Sequence, residues 1–173
     1  MPYTIDDDLI LIGLGANLPS QFGGPEETLK LALKWLERDG GRIVRCSQFW
    51  LTQPVPATED PWFVNAVAAI DSKLPPQALL ALLHTIEDAF GRVRSVSNAP
   101  RTLDLDLLAY GREVTGDGMP LILPHPRLDQ RAFVLLPLSE IAPAWSHPRS
   151  KKPLRQLIAD LPVGQKILPV QSI

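Results

Sequence analysis

Two helix-period stripes of leucine, each bracketed by proline and glycine, constrain this chain more than any other feature. Between residues 26 and 38, Leu29, Leu33 and Leu36 recur one turn apart, Ala32 fits the same stripe, and Glu26 and Lys30 form an i,i+4 pair. Pro25 suits a first helical turn, and Gly40-Gly41 stops the helix. The second stripe, Leu79, Leu82, Leu83 and Ile86, is opened by Pro75-Pro76 and closed by Gly91. Each stripe needs a surface to bury itself against, and the flanking segments have strand character. Residues 9–14 form a short apolar run, 42–51 alternate in part (Ile43, Arg45, Ser47, Phe49), 63–71 are almost continuously apolar, and 103–110 alternate. The predicted order is β-α-β-β-α-β. That order implies an α+β, ferredoxin-like sandwich: an antiparallel sheet with helices on one face and the other face open for a site. Short additional helices are expected at the C-terminal end, over 131–141 despite Pro137 and over 153–161, with a further short strand over 119–123.

The 173 residues suit a single domain, with a core over about 9–161 and with 1–8 and 162–173 as terminal extensions. With 45% hydrophobic and 21% charged residues, the chain is globular in composition. One cysteine excludes an internal disulfide framework, and no apolar run reaches the roughly 18 residues of a membrane span, so a cytoplasmic location is expected. A formal charge of −2 argues against generic nucleic-acid binding. The expected partners are small molecules, with no nucleic acid, no membrane and a monomeric chain. The charge is unevenly spread: residues 1–90 hold 6 Lys+Arg against 12 Asp+Glu, whereas 91–173 hold 11 against 7. An anion site built mainly by the second half, or simply a basic tail, accounts for this. Proline, 18 of 173, is about twice its usual frequency of roughly 5%. Pro54, Pro56 and Pro61 make 52–61 a long semi-rigid loop rather than a helix interior or a central strand.

The sharpest chemical signal is Arg101-Thr102-Leu103-Asp104-Leu105-Asp106-Leu107-Leu108. In a strand, residues two apart lie about 7 Å apart on one face. Asp104 and Asp106 therefore share a face while Leu103, Leu105 and Leu107 enter the core. Two like charges on one face repel unless a cation lies between them, and magnesium favours one or two carboxylates with phosphate oxygens and water. A solvated polar face is the alternative reading of the same residues. Arg92, Arg94, Arg101 and Arg131 favour the phosphate reading, because a guanidinium is a planar fork of donors suited to phosphate oxygens. His125 stands between two prolines on a stiff turn and supplies one more donor.

A second group is aromatic and polar. Thr52, Val55, Phe63, Asn65 and Phe133 lie on or near the proline-rich loop and its neighbours. Phe63 and Asn65 share one face of their strand; an aromatic face suits a flat ring, and an amide offers donors and an acceptor to a heterocycle edge. Taken alone, the two phenylalanines read more readily as core. Gly13-Leu14-Gly15-Ala16-Asn17-Leu18 lacks the third glycine of a dinucleotide fingerprint, and no Walker A sequence occurs. Cys46 has no adjacent histidine and is expected to be a buried thiol.

At this point the chain resembles the 6-hydroxymethyl-7,8-dihydropterin pyrophosphokinases of folate biosynthesis. The matching pieces are Gly15-Ala16-Asn17-Leu18, the stretch 47–54, Phe63-Val64-Asn65-Ala66, Glu87 with Gly91-Arg92-Val93-Arg94, Pro100-Arg101-Thr102-Leu103-Asp104-Leu105-Asp106, and Pro124-His125-Pro126 with Arg131-Ala132-Phe133. They fall in the family's order across about 9–143. The resemblance implies a ferredoxin-like fold and transfer of pyrophosphate from ATP, with two Mg²⁺ ions held by Asp104 and Asp106. It implies catalytic roles for Arg92, Arg101, Asp104 and Asp106, and ATP contacts from Arg92, Arg94, Arg101, His125, Arg131, His84 and Glu87. Phe63 and Phe133 would sandwich the pterin, Asn65 would bond its edge, and Thr52 and Val55 would line the pocket.

Three departures from the family pattern stand out. Asn98-Ala99 occupies the place of a Trp-Gly pair, in a loop about one residue shorter, which implies either a looser closure over the substrates or Trp62 as a substitute lid aromatic. His84 replaces a common glutamine, and Phe63 replaces a common tyrosine. Two other classes use the same residues. A metal-dependent phosphohydrolase would split a phosphate ester with the aspartate pair and no pterin. A non-catalytic ferredoxin-like binding module would leave that pair as a surface face.

Overall fold

The structure is a computed structural model that describes residues 4–54, 56–91, 102–116 and 118–170. Its elements are β1 (Ile10–Ala16), α1 (Pro25–Asp39), β2 (Arg42–Cys46), β3 (Trp50–Thr52), β4 (Phe63–Asp71), α2 (Pro76–Ala89), β5 (Asp104–Tyr110), α3 (Ala132–Ile141), α4 (Leu154–Ala159) and β6 (Ile167–Pro169), with 3-10 turns at Ile5–Asp8 and Leu128–Gln130. Both long helices begin with proline in the first turn, as their sequences predict. The sheet is antiparallel, in the order β5-β1-β4-β3-β6, and β2 also pairs with β4.

The α+β sandwich expected from the sequence is the fold observed. Leu29, Ala32 and Leu36 of α1 and Leu79, Leu83 and Ile86 of α2 bury themselves against Ile12, Leu14, Leu105 and Leu107 on one sheet face. The second face carries its own core: Leu11, Val67, Ala69 and Leu108 pack with Val134, Leu135 and Leu138 of α3 and Leu154 and Leu157 of α4. The short C-terminal helices thus cover part of the face that was expected to be open. What stays uncovered is the end where β1 and β5 carry glycine and aspartate instead of leucine.

Several local expectations differ from the structure. The predicted strand over 42–51 is broken into β2 and β3 at Ser47, whose hydroxyl accepts a hydrogen bond from Val67 N–H (3.0 Å) in place of a ladder carbonyl. Residues 119–123 form no strand; Thr115 N donates to Leu123 O (3.0 Å) and Leu123 N donates to Thr115 Oγ1 (2.9 Å), closing a loop on itself. Cys46 is exposed at the end of β2 rather than buried. Described residues of both expected extensions contact the rest of the fold. Buried Asp6 pairs with Arg45 (2.9 Å) and accepts from Ala144 N (2.9 Å), Asp7 accepts from Ser146 N (2.8 Å), and β6 adds a strand beside β3.

Candidate active site

The site begins as a trough in the sheet. On β1, Leu11, Gly13 and Gly15 face away from α1 and α2, and the two glycines supply no side chain there. Asp106 stands opposite Gly13 and Asp104 opposite Gly15 on one side; Asn65 stands opposite Gly15 on the other. Neighbouring strands are about 4.8 Å apart, so the backbones that carry the carboxylates and the amide stand roughly 10 Å apart on either side of β1. A bulge places Leu108 as an extra residue between the pairs Leu11↔Ala109 and Ile12↔Leu107. Beyond that bulge the strand returns to apolar packing. At Gly13 a Cβ would already meet the Leu108 side chain at 3.3 Å. At Gly15 it would lie 2.6 Å from Asn65 Nδ2, so only glycine lets that amide lie over β1.

Asn65 is held by its neighbours. The Thr52 hydroxyl donates to Asn65 Oδ1 (2.6 Å), and Asn65 Nδ2 donates to the Leu14 carbonyl (3.3 Å). Both side chains are buried, so the pair presents one oriented amide edge to the trough. Buried Asn17 donates from Nδ2 to the Pro61 carbonyl (3.1 Å), which ties the end of β1 to the proline-rich loop.

The other half of the site is cationic. Arg131, the residue before α3, has Nη1 at 3.9 Å from Asp106 Oδ2 and its guanidinium 5.2 Å from the centre of the Phe133 ring. His125 N donates to Leu108 O (2.8 Å), which fastens the Pro124-His125-Pro126 turn to β5. Its Nδ1 accepts from Arg127 N–H (3.2 Å), so in the neutral ring Nε2 carries the proton. Burial first, then the Arg131 guanidinium, holds the His125 imidazole down at about 4, against an opposing pull from Asp104. His125 is therefore a neutral donor near pH 7.

Thr52, Phe63, Asn65, Phe133, Asp104, Asp106, His125 and Arg131, all expected from the sequence, line one cavity of about 820 Å³. A recess of about 20 Å³ below it, between the aspartates, Asn65 and Phe133, has room for about one water. Among the described residues, no group of three or more His, Cys, Asp or Glu side chains forms a metal cage. Two carboxylates are the donor set, and that fits a hard cation that completes its shell with water and phosphate oxygens.

Residues 11–143 match the family model of 7,8-dihydro-6-hydroxymethylpterin-pyrophosphokinase (HPPK). The chain belongs to this family. The pyrophosphokinase of Pseudomonas aeruginosa is 39% identical over 154 residues, which cover 88% of this chain and 91% of that protein. The one from Methylorubrum extorquens is 42% identical over 134 residues, 76% of this chain and 81% of that one. Longer relatives carry the HPPK part within a larger protein. The folic acid synthesis protein of Pneumocystis carinii is 34% identical over 84% of this chain, which spans only 19% of its length. A crystal structure of HPPK-DHPS in complex with substrates has the same fold: TM-score 0.68 at 14% identity, over 87% of this chain and 42% of that one.

The remaining residues expected from the HPPK resemblance divide into two groups. Arg92, Arg94, Arg101 and Val55, and the departure at Asn98-Ala99, lie outside the described residues. Glu87 is fully buried and does not line the cavity; its Oε2 accepts from Leu105 N–H (2.9 Å), between the two aspartates. From inside the core this carboxylate steadies β5 from behind. His84 lies on the exposed side of α2 and Trp62 beside the proline-rich loop, and neither lines the cavity. Conversely, Asn17, Gln53, Arg127, Gln130, Gln165 and Lys166 line it without having been singled out as site residues. Asn17 lies in the glycine motif, where its role was readable. Gln53 lies in the matching stretch 47–54, and the others belong to the turn before α3 and the C-terminal arm.

Proposed function

We propose that ATP and 6-hydroxymethyl-7,8-dihydropterin meet in this cavity and that its two halves divide the work. The reaction class follows from the family: the chain is an ATP-dependent pyrophosphokinase of folate biosynthesis. The observation that carries the assignment of the site is its polarity. Phe63, Phe133, Thr52 and Asn65 make a ring-shaped, amide-edged half, and Asp104, Asp106, Arg131 and His125 make a charged half of the same cavity.

Phe63 and Phe133 stack on the pterin, and Asn65, already oriented by Thr52, bonds its edge. The pterin hydroxymethyl oxygen then attacks the β-phosphorus of ATP in line. The bond from that phosphorus to the oxygen bridging the α-phosphate breaks, AMP leaves, and the hydroxymethyl proton passes to solvent. Asp104 and Asp106 hold Mg²⁺, expected as two ions, which when bound neutralises phosphate charge. Arg131 places its guanidinium on phosphate oxygens, and neutral His125 donates from Nε2. Arg92 and Arg101 are proposed as catalytic and Arg94 as a further ATP contact by family resemblance, and Val55 as pterin lining. Positioning and charge neutralisation supply most of the catalysis.

The test is product identity. With ATP, the pterin and Mg²⁺, AMP should form in proportion to pterin consumed. ADP or inorganic phosphate released without pterin would show a phosphohydrolase instead, and no nucleotide turnover would show a binding module.

A further inference from the structure

The last wall of the cavity comes from the C-terminal arm. The arm is anchored on the strand side, where Ile167 pairs with Thr52 and Gln53 N donates to the Lys166 carbonyl (3.0 Å). One residue earlier, Gln165 reaches the opposite side. Ala132 N donates to Gln165 Oε1 (2.9 Å), and Gln165 Nε2 donates to the Gln130 carbonyl (2.9 Å). These two bonds bracket Arg131 and end one residue short of Phe133. Helix α3 makes no cap of its own there, since Arg131 at the cap position forms no side-chain capping bond. The first amides of a helix need outside acceptors, and Gln165 supplies one from 33 residues away.

We propose that Gln165 is a positioning residue of the reaction. It sets the Phe133 ring, carried by the first turn of α3, at a fixed distance from Phe63 and Asn65. The two proposed stacking rings ride on separate elements, Phe63 on β4 and Phe133 on α3. The arm is bonded on one side to β3, the neighbour of β4, and on the other to the start of α3, so it spans the gap that the pterin fills. The inference rests on the proposed stacking role of Phe133. A staple serving only the fold would use the same bonds without affecting ligand choice.

Gln165→Ala and Gln165→Glu, measured with Phe133→Ala, separate these cases. Calorimetry of the full chain gives the affinities for pterin and for ATP, and hydrogen exchange gives the protection of the Ala132 amide. Gln165→Ala should weaken pterin binding by about 3- to 10-fold, the worth of roughly one hydrogen bond, with ATP changed less than about twofold and Ala132 exchanging faster. Gln165→Glu keeps the acceptor beside the positive helix end but loses the donor to the Gln130 carbonyl, so it should restore Ala132 protection and part of the pterin affinity. Faster Ala132 exchange with pterin affinity unchanged, or equal weakening of both ligands, would overturn the proposal. Unchanged pterin affinity in Phe133→Ala would instead overturn the stacking reading on which it rests.

Discussion

In Gly15→Ala, the added methyl would sit 2.6 Å from Asn65 Nδ2, well inside the 3.4–4 Å of ordinary contact. Asn65 cannot turn away freely. Its Oδ1 takes the Thr52 hydroxyl at 2.6 Å and its Nδ2 bonds the Leu14 carbonyl at 3.3 Å, all in a buried setting. Relieving the clash breaks one or both bonds, each worth about 0.5–1.5 kcal/mol, so stability should fall by about 0.5–3 kcal/mol. The amide edge offered to the pterin is displaced at the same time, and one or two misplaced bonds correspond to about 3- to 100-fold in affinity. The nearest atoms to the new methyl belong to Asn65 and Phe63 and none to β5, so ATP affinity should stay within about twofold. Calorimetric titration of each ligand, with urea unfolding as the stability measure, reads all three quantities. Pterin affinity and unfolding midpoint both equal to those of the parent would refute the argument that the bare backbone at Gly15 exists to seat Asn65.

Phe133→Ala should weaken pterin much more than ATP, because the ring serves the flat substrate; equal weakening in calorimetry would count against stacking. His125 sets a pH dependence of definite sign. Its folded value of about 4 lies below the ordinary 6.5 because burial and Arg131 disfavour the charged ring. Between those two values the unfolded chain binds the extra proton, so stability falls as pH drops from 6.5 toward 4 and is regained as pH rises. An NMR titration of the ligand-free protein should find His125 neutral at pH 6, and a midpoint near 6.5 would contradict the buried setting.

Where a segment's neighbours in sequence decide its structure, the residues were enough. The leucine stripes of α1 and α2 bury the side they predict, and the Leu-Asp alternation of β5 turns both carboxylates to the side away from those helices. Pairing partners far along the chain were not legible. Strand β6 has three residues and ends in proline, so nothing local distinguishes it from a tail; only its pairing with Trp50, Leu51 and Thr52 makes it a strand. Helix α3 is apolar on most sides, and no stripe shows that it closes the second sheet face. Glu87 shows the opposite limit. The family motif marks it as a site residue, but only the fold reveals a carboxylate pointing into the core, where it accepts from Leu105 N–H.

The central claim is that the aspartate pair serves the phosphates while the opposite half of the cavity holds the pterin. Pterin-dependent AMP release by Asp106→Ala, measured beside its pterin affinity, tests this most directly. Asp106 lies on the charged side of the trough, 3.9 Å from Arg131. Turnover should fall by about a hundredfold or more, the scale of losing an electrostatic stabiliser of the transition state, with pterin affinity within about twofold and the fold intact. Near-parental AMP release by that variant in the presence of Mg²⁺ would contradict the account.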